Sequence, residues 1–460
     1  MAEQPLTGTW LENNTSLAPP PFMVEGDTAT PIEVRSLGLV FEIDPSQQSA
    51  VGHARLRFML PHAGRPLLDL VPRASRLSLN GQQLDPARLR LVLPPEESTP
   101  LRMVDEHLAP GEHTLEISYT LSDATVQFVD GGARLGLFMT DLDPRGYLER
   151  HAPANLEFDQ LEISMEVRLS GTNSAHQIFS NGRISPSGNN SWQISFPDYF
   201  NCASCYLHLT NREMIVRQAS FAGMEREIPI TVYSEELDLV SQALATATTV
   251  MSENEHTYGP YAHEGLLIYC TPDTSHGMEY AGATMTGLPQ LGHEITHSWF
   301  ARGVMPANSN AGWIDEAIAR WRDLGYPQVT KLVVRPPVKL SGFSPYTRQT
   351  PHDSYVWGSR LLSELELMFS PGGLRPILAR LFRQKQRQLI TTPFFQTFLE
   401  QATGIPLGPI FDRYVYGKSD GTEHPPDVDE SAATHIAVTT EALSLPPPRA
   451  FTTAELRTLL

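Results

Sequence analysis

The chain has 460 residues, enough for roughly two to four domains, and 41% of them are hydrophobic, so it can bury large cores. Its formal net charge of −18 argues against nucleic acid as a partner, because Lys and Arg supply most of the affinity for phosphates. Three cysteines are too few for a disulfide framework, and we interpret Cys202 and Cys205 as structural.

Neither a signal peptide nor a membrane span is predicted. The first residues lack a basic segment followed by an apolar run, and no stretch of about 18 apolar residues occurs. We therefore expect a cytoplasmic location by default. The sequence does not indicate an oligomeric state.

The first half of the chain has the pattern of strands. Residues 1–30 contain three consecutive prolines and predict an extended N-terminal arm. Short runs of alternating polarity follow, for example LGLVFEID (37–44) and HTLEISYTL (113–121), which are typical of antiparallel strands. They predict a β-rich domain over residues 31–207.

Helical periodicity replaces this alternation after about residue 235, around a single strand-like run, GLLIYC (265–270). Predicted helices cover 234–256, 288–301, 312–324, 355–369, 372–387 and 392–403. We expect a mainly helical domain over 208–418 and a Pro-containing C-terminal tail over 419–460. Because strands and helices are segregated along the chain, the fold class is predicted to be α+β.

The segment His293-Glu294-Ile295-Thr296-His297 is the strongest chemical signal. Two histidines four residues apart lie on one face of an α-helix, so both imidazoles can reach one metal ion. Glu294 can reach a water molecule at that metal without binding the metal itself.

A third candidate ligand, Glu316, follows His297 after eighteen residues. It lies in WIDEAIARWRDLGY, a segment with helical periodicity, so a second helix can turn Glu316 toward the first. Two histidines and one carboxylate leave a fourth position open, which is typical of a catalytic zinc site. The alternative, histidines buried in a core beside ordinary carboxylates, explains this spacing less well.

These residues resemble the signature of the aminopeptidase N family of gluzincin zinc metallopeptidases, HExxH, eighteen residues, then Glu. The resemblance extends to Gly277-Met278-Glu279-Tyr280, similar to the family's GxMEN element, and to Tyr355-Val356-Trp357-Gly358, similar to its YxKG. It covers residues 31–418 and implies an N-terminal antiparallel β-rich saddle domain followed by a thermolysin-like, mainly helical catalytic domain. The family's large C-terminal helical domain has no counterpart in this sequence, so we expect a short form with an open cleft.

The resemblance also implies roles for individual residues. One zinc ion would be bound by His293, His297 and Glu316. Glu294 would act as the base, and Tyr355 would donate a hydrogen bond to the tetrahedral oxyanion, with Tyr346 as the alternative donor.

The GxMEN-like element would bind substrate. Glu279 would bind the free α-amine of a peptide, which makes an exopeptidase, and Gly277 would allow close approach of the backbone beside Met278. Asp315 is a candidate for orienting the histidines. Three departures bear on substrate preference. Tyr280 stands where Asn is usual, Phe300-Ala301-Arg302 where Phe-Gly-Asn is usual, and Ala317 where Gly is usual.

The leading interpretation is a zinc-dependent aminopeptidase that releases N-terminal residues from peptides or polypeptides. An endopeptidase with an open cleft on the same scaffold is the first alternative. Epoxide hydrolysis, known from one branch of the family, and a non-catalytic binding protein on a peptidase fold are further alternatives.

Overall fold

The computed structural model describes residues 17–122, 125–272 and 277–419. The strands in chain order are β1 (Phe22–Val24), β2 (Asp27–Pro31), β3 (Glu33–Asp44), β4 (Ser49–Leu60), β5 (Arg65–Leu68), β6 (Ala74–Leu79), β7 (Gln82–Leu84), β8 (Leu89–Val92), β9 (Leu101–Val104), β10 (Gly111–Thr120), β11 (Val126–Val129), β12 (Gly132–Gly136), β13 (Glu162–Leu169), β14 (Gln177–Ser180), β15 (Arg183–Gly188), β16 (Ser191–Ser195), β17 (Leu207–Thr210), β18 (Ile215–Ala222), β19 (Glu227–Ser234), β20 (Leu266–Cys270), β21 (Gly277–Tyr280), β22 (Ala283–Thr286), β23 (Met305–Pro306) and β24 (Leu389–Ile390). The α-helices are α1 (Leu237–Tyr258), α2 (Leu291–Thr296), α3 (Trp313–Asp323), α4 (Ser359–Met368), α5 (Arg375–Lys385), α6 (Thr392–Thr403) and α7 (Gly408–Tyr414).

The ends of the chain fall partly outside the described residues. Residues 420–460 of the predicted tail and residues 1–16 of the predicted arm are not among them. The rest of the arm contributes β1 and most of β2, which join a five-stranded sheet of order β1-β2-β5-β9-β8.

An eight-stranded sheet dominates the N-terminal unit, in the order β15-β16-β13-β3-β4-β10-β6-β7. Its long central strands pair antiparallel, and β13 pairs parallel with β3. The alternation read from the sequence is present in β3, where Leu37, Leu39, Phe41 and Ile43 are all buried. Strand β3 thus turns its apolar face to the core.

The second unit begins with a five-stranded sheet of order β18-β19-β20-β22-β21. Helix α1 packs against β18–β20 and against α2 and α5. The helical core is built around Trp299, Trp313 and Trp321, all fully buried. Strand β21 is the last strand in this sheet order and so lies at the sheet's edge, where α2 packs against it and against β22. No helix of the described ranges is long and apolar enough to cross a membrane.

Helix α2 is shorter than the predicted helix 288–301. A 3₁₀ turn covers Leu288–Gln290, and the α-helical part ends at Thr296. The N–H groups of Ser298 and Trp299 bond three residues back, to Ile295 and Thr296, which tightens the last turn. The chain then turns away at Gly303, where a side chain would collide with the Ser298 carbonyl.

Arg348 joins the two units. Its guanidinium is buried, donates to the Asn155 carbonyl and to Cys202 Sγ, and lies 3.5 Å from Glu149. Two residues later the Thr350 N–H donates to the Asp141 carbonyl at 2.7 Å. This contact fixes the segment that carries Asp141 against the second unit.

Candidate active site

Helices α2 and α3 bring the three candidate metal ligands together. His293 Nε2 lies 3.2 Å and His297 Nε2 3.6 Å from Glu316 Oε2. The three residues are only 6%, 1% and 4% exposed. One ligand atom from each lies within 4.8 Å of the other two, so a single ion can contact all three.

Each histidine is oriented by its other ring nitrogen. His293 Nδ1 lies 2.7 Å from Asp323 Oδ2, and His297 Nδ1 lies 3.0 Å from the Phe300 carbonyl. Both Nδ1 atoms therefore act as donors, so Nε2, which faces Glu316, is the nitrogen that can bind a metal once it is deprotonated.

Asp323 and not Asp315 is the carboxylate that holds a histidine. Asp315 Oδ1 accepts from the backbone N–H of Glu316 at 3.0 Å. Sequence reasoning could have found Asp323, because it follows Glu316 by seven residues, two turns of α3, and so shares its helix face.

This donor set fits zinc. Two imidazole nitrogens and one carboxylate oxygen with a side left open are the ligands of catalytic zinc sites. Burial lowers the pKa of His293, but Asp323 and Glu316 outweigh this effect and raise it well above the ordinary value. A metal ion bound among these side chains would change this balance, because it would be the largest charge in the site.

Glu294 faces the same cleft, which is lined by Thr140, Asp141, Leu142, Gly277, Glu279, His293, Glu294, His297, Glu316 and Tyr355. Burial raises the pKa of Glu294 to about 8. Its carboxylate lies against Gly277, where an added Cβ would collide with Glu294 Oε1. Gly277 therefore makes room for the side chain of Glu294.

Tyr355 lies in the cleft on a π-helical turn, Ser354–Gly358, and its ring centroid is 6.2 Å from that of His293. Burial raises its pKa well above 10, and Asp141 and Glu316 add to the rise. Tyr346, the alternative, does not line the cleft, because its hydroxyl donates to the Pro20 carbonyl and its ring packs on Phe22.

Glu279 enters the cleft from the edge strand β21 and is 6% exposed. Met278, its neighbour, points to the opposite face of the strand and is buried in the hydrophobic core. Its side chain is not among the residues that line the cleft.

Asp141 is a cleft carboxylate that sequence reasoning missed. It comes from the N-terminal unit, and no motif or periodicity marks it. Burial raises its pKa well above the ordinary value, and Glu316 and Glu279 raise it further. Tyr280 holds the segment in place, since its hydroxyl accepts from the Met139 N–H at 3.2 Å.

Solved structures share this fold. The M1 zinc metallopeptidase of Deinococcus radiodurans, as a variant bound to a Tyr-Ser-Ala substrate, is 17% identical over 86% of this chain and 96% of its own, with a TM-score of 0.60. Aminopeptidase A of Legionella pneumophila in complex with aspartic acid is 14% identical over 84% of this chain and 50% of its own, with a TM-score of 0.63.

The chain has the fold of the M1 zinc metallopeptidases. Yeast LTA4 hydrolase in complex with bestatin shares the M1 fold at 14% identity, over 93% of this chain and 74% of its own, with a TM-score of 0.60. No protein-family profile and no curated protein sequence matches the chain. The expected β-rich domain followed by a thermolysin-like domain is confirmed at the level of the fold.

Proposed function

We propose that this protein is a zinc-dependent metallopeptidase that acts as an aminopeptidase. The observation that carries the proposal is the convergence of His293, His297 and Glu316 on one point, with Glu294 beside them in the same buried cleft. The M1 fold supports it, because the similar structures are named as zinc metallopeptidases and an aminopeptidase.

Different side chains of the cleft would carry out different steps of peptide-bond hydrolysis. Zinc, held by His293, His297 and Glu316, would supply a Lewis acid that polarises the scissile carbonyl and activates water. Glu294 takes the proton from the attacking water and passes it to the leaving amine. Tyr355 donates its hydroxyl hydrogen to the developing oxyanion, and its raised pKa keeps that proton in place at neutral pH.

Two carboxylates support binding of a free α-amine. Glu279 and Asp141 both line the cleft beside the candidate ligands and come from different units of the fold. A substrate ammonium beside them would offset the repulsion that Glu316 and Glu279 exert on the Asp141 carboxylate. Ligand atoms of Glu279, Glu294 and His297 lie within 4.8 Å of one another, so an amine bound by Glu279 would lie next to the proposed zinc site.

Strand β21 supports an extended substrate. It is the edge strand of its sheet among the described residues, so its outer backbone groups can pair with a peptide. Because Glu279 is part of β21, such pairing would run beside the amine subsite.

Metal content and rate test this proposal together. We expect purified protein to hold one zinc ion and to cleave aminoacyl-fluorophore substrates with a free amine. Glu294→Gln should keep the zinc and lose at least about a hundredfold in kcat, as is usual for loss of a general base. Glu162→Gln on β13, exposed and outside the cleft, is the matched control. A protein without zinc, or a Glu294→Gln variant at full rate, would contradict the proposal.

A further inference from the structure

Arg302 forms a buried ion pair with the proposed amine anchor. Its Nη2 donates to Glu279 Oε1 at 2.9 Å, and the two side chains are only 3% and 7% exposed. At this position the sequence departs from the aminopeptidase N signature that it resembles, where Asn is usual. A buried arginine next to a cleft needs a reason, because desolvating a guanidinium is costly unless its charge is paired.

The backbone aims Arg302 at Glu279. The preceding residue, Ala301, has a φ of 120°, in the region that favours glycine, and its N–H donates to the Val304 carbonyl at 3.1 Å. The Arg302 N–H donates to the His297 carbonyl at 2.9 Å. The turn four residues after the second histidine is therefore held in a strained conformation, and this fixes the backbone from which the Arg302 side chain extends.

The guanidinium lies behind Glu279 and not in the cleft. Glu279 lines the cleft and Arg302 does not. Arg302 engages Oε1 alone, and a carboxylate offers about four lone-pair sites over its two oxygens, so Oε2 is available to a ligand. Arg302 also supplies positive charge beside Asp141, Glu279 and Asp315.

We infer that Arg302 is a positioning residue that holds the Glu279 carboxylate for the α-amine of the substrate. The inference rests on the proposed function, since it assigns the amine subsite of that reaction. The alternative, in which Arg302 competes with the amine, predicts the opposite effect of its removal. Arg302 contacts only one oxygen of Glu279, and it does so from the side away from the cleft. This geometry favours positioning of Glu279 over competition with the amine.

The test measures binding separately from turnover. In the Glu294→Gln background, the dissociation constants of a tripeptide with a free amine and of its N-acetylated form are measured by calorimetry. Arg302→Gln should weaken the free-amine peptide about tenfold to a hundredfold and leave the acetylated peptide unchanged. Arg302→Lys should recover part of the loss. Arg212→Gln, which breaks the Arg212–Glu235 pair outside the cleft, should change neither constant.

Either a tighter or an unchanged affinity of Arg302→Gln for the free-amine peptide overturns the inference. Should that variant fail to fold, Arg302→Lys takes its place, and an unchanged ratio of the two dissociation constants in it also overturns the inference. Rates of the unmodified protein are recorded in parallel. If it cleaves no peptide but the selective loss of binding is found, the proposed function fails while the positioning role stands.

Discussion

At the scale of the residue, the cleft concentrates negative charge. Asp141, Glu279, Glu294, Asp315 and Glu316 are all buried around it. Burial raises the pKa of Glu294 to about 8 and that of Asp315 to about 7. Carboxylates this crowded repel one another unless cations are bound, so the cleft is suited to a metal ion and an ammonium group together.

The sequence predicted those residues whose spacing encodes their chemistry. The positions of His293, His297 and Glu316 follow from helix geometry, and the structure brings them together. Their roles stay predictions, as do those of Glu294, Tyr355 and Glu279. Asp141 and Arg302 could not be predicted, because their partners are set by tertiary contacts and no local pattern marks them.

Gly277→Ala tests whether Gly277 is needed to leave room for Glu294, the proposed base. The new Cβ would collide with the Glu294 carboxylate, so we expect kcat/KM to fall at least about tenfold with zinc content unchanged. Gly38→Ala is the control, because a Cβ there has only ordinary contacts at 3.8 and 3.9 Å. A Gly277→Ala variant as active as the Gly38→Ala variant would show that Glu294 does not need this space.

At the scale of the element, one face of α3 carries both the candidate ligand Glu316 and Asp323. Glu316 faces His293 and His297, and two turns later Asp323 holds His293 Nδ1. The periodicity of WIDEAIARWRD predicted the helix, and α3 spans Trp313–Asp323. For α2, the sequence pattern could not predict that the helix ends at Thr296, because that end depends on the tight turn after His297.

Asp323→Asn should loosen the metal site without removing a ligand. The amide keeps a weaker acceptor for His293 Nδ1–H but loses the charge, so we expect zinc to bind about 10- to 100-fold more weakly. Competition with a chelator measures the dissociation constant. Arg320→Ala on the same helix is the control, and equal zinc affinity in the two variants would contradict the orienting role.

At the scale of the whole molecule, the cleft that holds the candidate ligands is built between the two units. Asp141 comes from the N-terminal unit, and the Thr350 N–H and the Tyr280 hydroxyl hold its segment against the second unit. The order of domains could be predicted from the change of hydrophobic period. Their packing could not, because it depends on side chains far apart in the sequence, such as Arg348 and Glu149.

A buried histidine between the units makes stability depend on pH. Burial lowers the pKa of His208 from 6.5 to about 3, and Arg212 and Arg134 add to the effect. Between these values the unfolded chain binds the proton and the folded protein does not, so the free energy of unfolding falls as the pH falls below 6.5. The loss amounts to about 2 kcal/mol between pH 7.5 and pH 5.

His208→Phe should remove the part of this dependence that His208 contributes, because phenylalanine fits the aromatic surroundings of Phe138 and Tyr269 and does not titrate. Urea unfolding at pH 7.5 and pH 5 should show the variant gaining about 2 kcal/mol relative to the parent protein at the lower pH. His62→Phe, at an exposed position, is the control. Parallel pH dependences of variant and parent would contradict the buried neutral histidine.

The most direct test of the central claim is the product pattern of one peptide. The zinc-loaded protein is incubated with a decapeptide and with its N-acetylated form, and the products are followed over time by mass spectrometry. We predict stepwise loss of single N-terminal residues from the free peptide and no cleavage of the acetylated one. Internal cuts in both peptides would identify an endopeptidase, and no cleavage of either would contradict the peptidase assignment itself.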